Sequence, residues 1–221
     1  MARTSDMATR RPGISKAGIG KEGAKRPQRK SPSGHAKLTE HPGFTRKDAV
    51  EEMVRVDHAG EYGAVRIYSG QLAVFEKLPH KRKIAESLAH MRDEEEVHLR
   101  KFNELIRERG VRPTALTPFW HVAGFALGAA TALMGEKAAH ACTAAVEEVI
   151  DGHYRSQIEK LKELGGEEAD LAATIEKFRE EEVRHRQEAL AEGAEQAVGY
   201  PVLSGLIRAG CKLAIRVAEK V

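Results

Sequence analysis

The chain has 221 residues, 41% of them hydrophobic and 31% charged, which suits one domain with a buried core. Its formal net charge of +3 is unevenly placed: residues 1–47 hold twelve Lys/Arg against Asp6, Glu22 and Glu40, a net of +9, while the other 24 bases and 30 acids leave −6. An acidic body excludes specific nucleic-acid recognition by a basic face, and two cysteines outside any C-x-x-C pattern, Cys142 and Cys211, exclude a zinc ribbon or a disulfide framework.

In chain order, residues 1–45 come first. They are rich in Gly, Pro, Ser, Lys and Arg and show no apolar period, so they read as a disordered basic tail. They contain no apolar h-region of a secretory signal. A mitochondrial presequence would also be basic and acid-poor, but the Pro and Gly density spoils an amphipathic helix, and a bacterial tail is the expectation. From Arg46 the pattern is helical. The first helix runs towards Pro79 and the second to about Arg109, before Gly110 and Pro113. A third spans about Glu136 to Leu164, ahead of Gly165-Gly166, and a fourth about Glu167 to Ala194. A last helix follows Pro201. No stretch alternates as a strand would, so residues 46–221 are expected to form one all-α domain.

Two of these helices carry the same motif. "RDEEEVH" (92–98) and "REEEVRH" (179–185) align as Arg, three acids and His, and contain Glu95-x-x-His98 and Glu182-x-x-His185. A lone Glu precedes each pair on the preceding helix, Glu61 by 34 residues and Glu147 by 35. Counted from the intervening turn, each lone Glu lies level with its partner across an antiparallel hairpin at ~1.5 Å rise per residue. The i, i+3 spacing puts Glu and His on one face. Four carboxylates and two imidazoles at one height cannot share a dry core without compensating charge. A Glu from each of two helices and Glu-x-x-His from the other two is the ligand pattern of ferritin-like two-metal bundles.

The neighbours read differently. Asp93, Glu94, Glu96, Glu180 and Glu181 are expected to face solvent, and Glu148 competes with Glu147 on spacing. His58, His90 and His140 read as ordinary surface or core residues. Tyr68 and Tyr154 each follow a lone Glu by seven residues and should lie near the site face. Core packing and a role beside the ligands weigh equally for them.

Residues 113–135, "PTALTPFWHVAGFALGAATALMG", hold no charge. Pro118 leaves too short a clean run for a membrane span of about 20 residues. A span would also put Glu147 across the bilayer from Glu95. The segment is therefore expected to be the crossover helix of the bundle, its outer face touching lipid or a second copy in a homodimer. In the last helix, Leu206, Ile207, Leu213 and Val217 form an apolar side, and Arg208, Lys212, Arg216 and Lys220 a basic stripe, as an interfacial helix would.

"RVDHAGEYGAVRIYSGQ", "ACTAAVEEVIDGHY" and "FREEEVRH", with the apolar crossover, resemble the demethoxyubiquinone hydroxylases of ubiquinone biosynthesis from about Asp48 to the C-terminus. The resemblance implies metal ligands at Glu61, Glu95, His98, Glu147, Glu182 and His185, choosing Glu147 over Glu148, with His153 and Tyr154 beside the site. It implies two iron ions, O2 as co-substrate, and NADH or a quinol as reductant. The substrate would be a polyprenyl methoxy-methyl-benzoquinol, hydroxylated to demethylubiquinol. It further implies a peripheral protein on the cytoplasmic face of a bacterial membrane, or the matrix face of the mitochondrial inner membrane, with a lipid-binding accessory protein as a partner. The competing reading is a ferritin-type ferroxidase or iron-storage bundle.

Overall fold

The computed structural model describes residues 44–221; the tail read over residues 1–45 lies almost wholly outside them. Among the described residues there are six α-helices and no strand: α1 Arg46–Phe75, α2 Arg82–Arg109, α3 Thr117–Leu133, α4 Glu136–Leu164, α5 Ala169–Ala191 and α6 Tyr200–Ala218. The helix boundaries have local causes. Thr45 and Asp48 form a capping box at the start of α1, with the Asp48 N–H donating to Thr45 Oγ1 at 3.2 Å and the Thr45 N–H to Asp48 Oδ2 at 2.7 Å. α2 stops at Gly110, whose φ of 66° is left-handed, and the next N–H, from Val111, bonds back to the Ile106 carbonyl. α5 ends three residues earlier than the composition suggests, because Ala194–Gln196 tightens into a separate 3-10 turn. Pro201 lies inside the first turn of α6, where its missing N–H has no helical partner to lose.

α1 and α2 form one hairpin, α4 and α5 the other, and α1 packs against α4. The crossover α3 lies along α1, and α6 lies along α4. This is the expected all-α, ferritin-like four-helix bundle with a crossover helix and a C-terminal amphipathic helix. Among the described residues, the two largest apolar clusters of its interior flank a polar layer. One holds Val54, Phe102, Ile158, Leu171, Ile175 and Phe178, and the other Leu72, Phe75, Ile84, Leu88 and Met91. On α1, α2 and α4 the Glu and Glu-x-x-His positions fall between residues of these two clusters, and on α5 they fall between Phe178 of the first and Ala189 of a smaller alanine cluster, so the polar layer is closed at both ends.

The Gly124-x-x-x-Gly128 pair of α3 is used within the chain. A Cβ on Gly128 would collide with the Ile67 carbonyl of α1, and one on Gly70 with the Phe125 carbonyl of α3. The two backbones therefore touch, which only glycine allows. No helix among the described residues is long and apolar enough to cross a membrane.

Gly128→Ala should push α3 off α1 and lower unfolding stability by about 1–3 kcal/mol. Gly152→Ala, on α4 with nothing within 4 Å of the added Cβ, should raise it by up to about 1 kcal/mol. Urea denaturation of the two variants checks both signs.

Candidate metal centre

The structure brings all six sequence-predicted residues together. Glu61 comes from α1, Glu95 and His98 from α2, Glu147 from α4, and Glu182 and His185 from α5. None is more than 1% exposed. They make two groups whose ligand atoms lie within 4.8 Å of one another: Glu61, Glu95, His98 and Glu182, and Glu95, Glu147, Glu182 and His185. Glu95 and Glu182 belong to both. The repeat in sequence thus becomes an approximate two-fold arrangement, with the carboxylates of the paired motifs in the middle and one lone Glu at each side.

Both imidazoles point Nδ1 inward. His98 Nδ1 lies 3.0 Å from Glu182, 3.5 Å from Glu61 and 3.7 Å from Glu95. His185 Nδ1 lies 3.2 Å from Glu95 and 3.3 Å from Glu182. The opposite nitrogens point outward, and here the expectation that Glu94 and Glu181 face solvent is corrected. His98 Nε2 meets Glu181 Oε2 at 2.6 Å, and His185 Nε2 meets Glu94 Oε2 at 2.9 Å. An imidazole whose outer N–H donates to a carboxylate keeps the inner nitrogen free as a lone-pair donor. Helical spacing explains the correction: the residue before the inward Glu lies on its helix's flank, which faces the neighbouring α2 or α5.

The tyrosines are placed by the same exchange between hairpins. Tyr68 of α1 donates to Glu147 Oε1 at 2.9 Å, and Tyr154 of α4 donates to Glu61 Oε1. Burial and the surrounding carboxylates push both phenols well above their usual pKa, which keeps the donating protons in place.

The remaining donor atoms fit divalent cations. Among the described residues, both oxygens of Glu95 and of Glu182, Oε2 of Glu61 and of Glu147, and Nδ1 of His98 and of His185 are buried without a hydrogen-bond partner. Native interiors rarely leave such groups unpaired, and hard oxygen donors with two imidazoles suit a first-row metal such as iron or manganese. Without metal, protons carry the compensating charge. Burial drives Glu61 and Glu147 well above the usual carboxylate pKa. Burial works against charge on the imidazoles too, yet the carboxylates outweigh it, raising His98 strongly and His185 to about 12. Burial opposes ionisation of Glu95 as well, and the two histidines overcome it, bringing Glu95 to about 2.

The other candidates separate cleanly. Glu148 lies outside the layer, its Oε2 3.4 Å from an Arg208 nitrogen and 3.5 Å from one of Arg186, so the spacing ambiguity with Glu147 is resolved by direction. His153 does not touch the six-residue layer. Its Nε2 is 3.4 Å from Asp57 Oδ1, and Gln157 donates to that same oxygen at 2.8 Å. His58 is buried against Asn103, and His90 is exposed.

The family model described as "Ubiquinone biosynthesis protein COQ7" matches residues 48–218. The chain is 56% identical over 172 residues to "3-demethoxyubiquinol 3-hydroxylase" of Rhodospirillum rubrum, covering 78% of each chain. It is 50% identical over 176 residues to "NADPH-dependent 3-demethoxyubiquinone 3-hydroxylase, mitochondrial" of Bos taurus, covering 79% of each. It is 40% identical over 185 residues to "5-demethoxyubiquinone hydroxylase, mitochondrial" of Saccharomyces cerevisiae, covering 78% of each. The chain belongs to the demethoxyubiquinone hydroxylase family.

In this family member an apolar cavity of about 840 Å³ lies beside the bundle, between the crossover and the last helix. Its walls include Gly60 and Ala64 of α1, Val146 of α4, Leu127 of α3, and Leu206 and Leu213 of α6. Sequence reading missed this cavity, because its wall is shared by four helices and nine of its 25 residues are glycine or alanine. Leu206 and Leu213, with Val202, are more than 60% exposed, while Ile207 is buried against the bundle. The apolar side of α6 is thus split: one edge packs inward, and the other stands open at the cavity.

Metal binding by this demethoxyubiquinone hydroxylase family member should depend on pH. Glu61, Glu147, His98 and His185 hold protons that a metal must displace, because metal-bound carboxylates and imidazoles are deprotonated. The apparent Fe(II) affinity should therefore fall steadily from about pH 8 to about pH 6. An anaerobic titration at several pH values checks this, with proton release accompanying each equivalent.

Proposed function

We propose that the chain is a di-iron monooxygenase that hydroxylates the ring of a polyprenyl methoxy-methyl-benzoquinol, giving demethylubiquinol in ubiquinone biosynthesis. The carrying observation is the apolar cavity, whose wall includes one chain neighbour each of Glu61 and Glu147. Gly60 and Val146 each adjoin a lone Glu, so one short stretch of helix serves the metal layer on one side and an apolar occupant on the other. An iron-storage bundle has no use for such a cavity, and the exposed apolar residues along it argue against the ferroxidase reading. The names of the relatives point to the same quinol substrate.

In this reading Glu61, Glu95, His98 and Glu182 hold one iron ion, and Glu95, Glu147, Glu182 and His185 the other. The iron pair supplies reductive activation of O2. One oxygen atom replaces a ring hydrogen as hydroxyl, and the other leaves as water with two electrons and two protons from the reductant. That reductant is NADH, NADPH or a quinol; the name of the bovine relative favours NADPH. The protein's own part is positional. The two apolar clusters exclude water from the metal layer, Tyr68 and Tyr154 hold the lone carboxylates, and the cavity admits the substrate's ring edge while accepting its prenyl chain. The cavity lining, apolar apart from the Trp120 indole N–H and the Cys211 thiol, favours a prenylated quinol over a soluble phenol.

The same surface suggests how the substrate arrives. Phe119 and Val122 of α3 and Val202, Leu206 and Leu213 of α6 are exposed, and Lys212, Arg216 and Lys220 flank them. We read this side as lying on an anionic membrane surface without crossing it, with the quinol entering between α3 and α6. The membrane is a bacterial one, at its cytoplasmic face. The mitochondrial relatives would use the corresponding matrix face. A second copy of the chain or a lipid-binding accessory protein would dock on the same apolar side.

Purified protein should hold about two iron ions per chain. Glu95→Ala and Glu182→Ala should each lose that iron and all quinol hydroxylation, measured by metal analysis and quinone chromatography; iron-loaded protein that leaves the demethoxy-quinol unchanged would refute the reaction. Combined Leu206→Glu and Leu213→Glu should weaken liposome binding at least about tenfold, since each buried leucine contributes about 1.5–3 kcal/mol. Flotation on anionic vesicles measures it.

A further inference from the structure

The outward nitrogens of the two histidines lead to Glu94 and Glu181, residues that stand immediately before Glu95 and Glu182. Each reaches across to the other hairpin. Glu181 of α5 accepts from His98 of α2 at 2.6 Å, and Glu94 of α2 accepts from His185 of α5 at 2.9 Å. One Glu-Glu dipeptide on each helix therefore serves both hairpins: its second carboxylate points into the layer, and its first restrains the opposite histidine. The side chains of Glu94 and Glu181 are about a quarter exposed, at 25% and 23%, so they can act on the buried rings while remaining partly hydrated.

The two carboxylates differ in one respect that the repeat does not predict. Glu94 Oε1 accepts a hydrogen bond from Arg184 at 2.5 Å, and His90 Nε2 lies 3.5 Å from Glu94 Oε2. Among the described residues Glu181 has no Lys or Arg within ion-pair distance, and its one ionic contact is His98. The contact at Glu181 is also the shorter. A carboxylate whose charge is already offset by a guanidinium attracts an imidazole proton less strongly than a free one. The His98 ring is accordingly the more electron-rich donor, and the His185 ring the less.

We propose that Glu94 and Glu181 are positioning residues that hold the two histidines with Nδ1 turned to the metals, and that Arg184 makes the two halves of the centre unequal. The inference rests on the reading of the six-residue layer as a metal site. It assigns Glu181 the larger influence, because its charge reaches His98 undiminished. A more electron-rich ligand stabilises the oxidised metal, so the His98 half should be the easier of the two to oxidise.

The test uses the full-length protein, titrated with Fe(II) under argon and then followed by redox titration. Glu181→Ala and Glu94→Ala should each weaken one of the two Fe(II) equivalents, by about 10–100-fold. Glu181→Gln and Glu94→Gln keep a carbonyl that can accept from Nε2 and should retain both equivalents. The glutamines should nonetheless raise the midpoint potential, Glu181→Gln by more than Glu94→Gln, and Arg184→Gln should lower it by freeing the Glu94 charge. Far-UV circular dichroism confirms that each variant is folded; the glutamine pair leaves size and shape unchanged. Alanine variants that bind both equivalents as tightly as wild type would overturn the positioning role. Equal potential shifts in the two glutamine variants would overturn the inequality. Wild-type protein that binds no Fe(II) would overturn the reading of the site itself, a result distinct from either.

Discussion

Four carboxylates at one level of a helical bundle set the terms for the rest of this structure. Each buried charge costs several kcal/mol unless something positive lies beside it. The chain places Glu61, Glu95, Glu147 and Glu182 there with only two imidazoles for company. In the metal-free protein the debt is met by protons on Glu61, Glu147 and the histidines. With two divalent cations the same groups become a ligand set with few donors left unpaired. The surrounding design follows from that constraint. Apolar clusters close the layer at both ends, tyrosines hold the lone carboxylates, and outer carboxylates hold the imidazoles.

The restraints all run between hairpins. Tyr68 of the first hairpin holds Glu147 of the second, and Tyr154 of the second holds Glu61 of the first. Glu181 and Glu94 do the same for His98 and His185. A hairpin on its own would present a Glu and a Glu-x-x-His with nothing to orient them. Assembly of the two hairpins therefore builds the site and its restraints in one event. Beside the close approach of α3 to α1 through Gly70 and Gly128, an adjoining flank of the crossover that includes Gly124 forms a cavity with α1 and α6.

Much of this was legible in the sequence, for definite reasons. The six inward residues recur at fixed spacing, and heights across a hairpin follow from helical rise, so the layer could be read without coordinates. The helices announced themselves through Pro79, Gly110, Gly165 and the absence of alternation. Glu94 and Glu181 could not be told from Glu96 or Glu180 in the same way, because a run of acids looks alike in one dimension. What distinguishes them is a histidine on another hairpin. The one signal available was that an acid precedes the inward Glu in both copies. The choice between Glu147 and Glu148, and the cavity shared by α1, α3, α4 and α6, likewise depended on direction and on packing between distant segments.

The central claim is that the buried layer exists to bind two metal ions that replace its protons. Thermal unfolding under argon with increasing Fe(II) tests it most directly, because a ligand that binds only the folded chain stabilises it by mass action. The midpoint should climb steeply until about two equivalents are bound and only slowly thereafter. A midpoint indifferent to Fe(II) in folded protein would contradict the account.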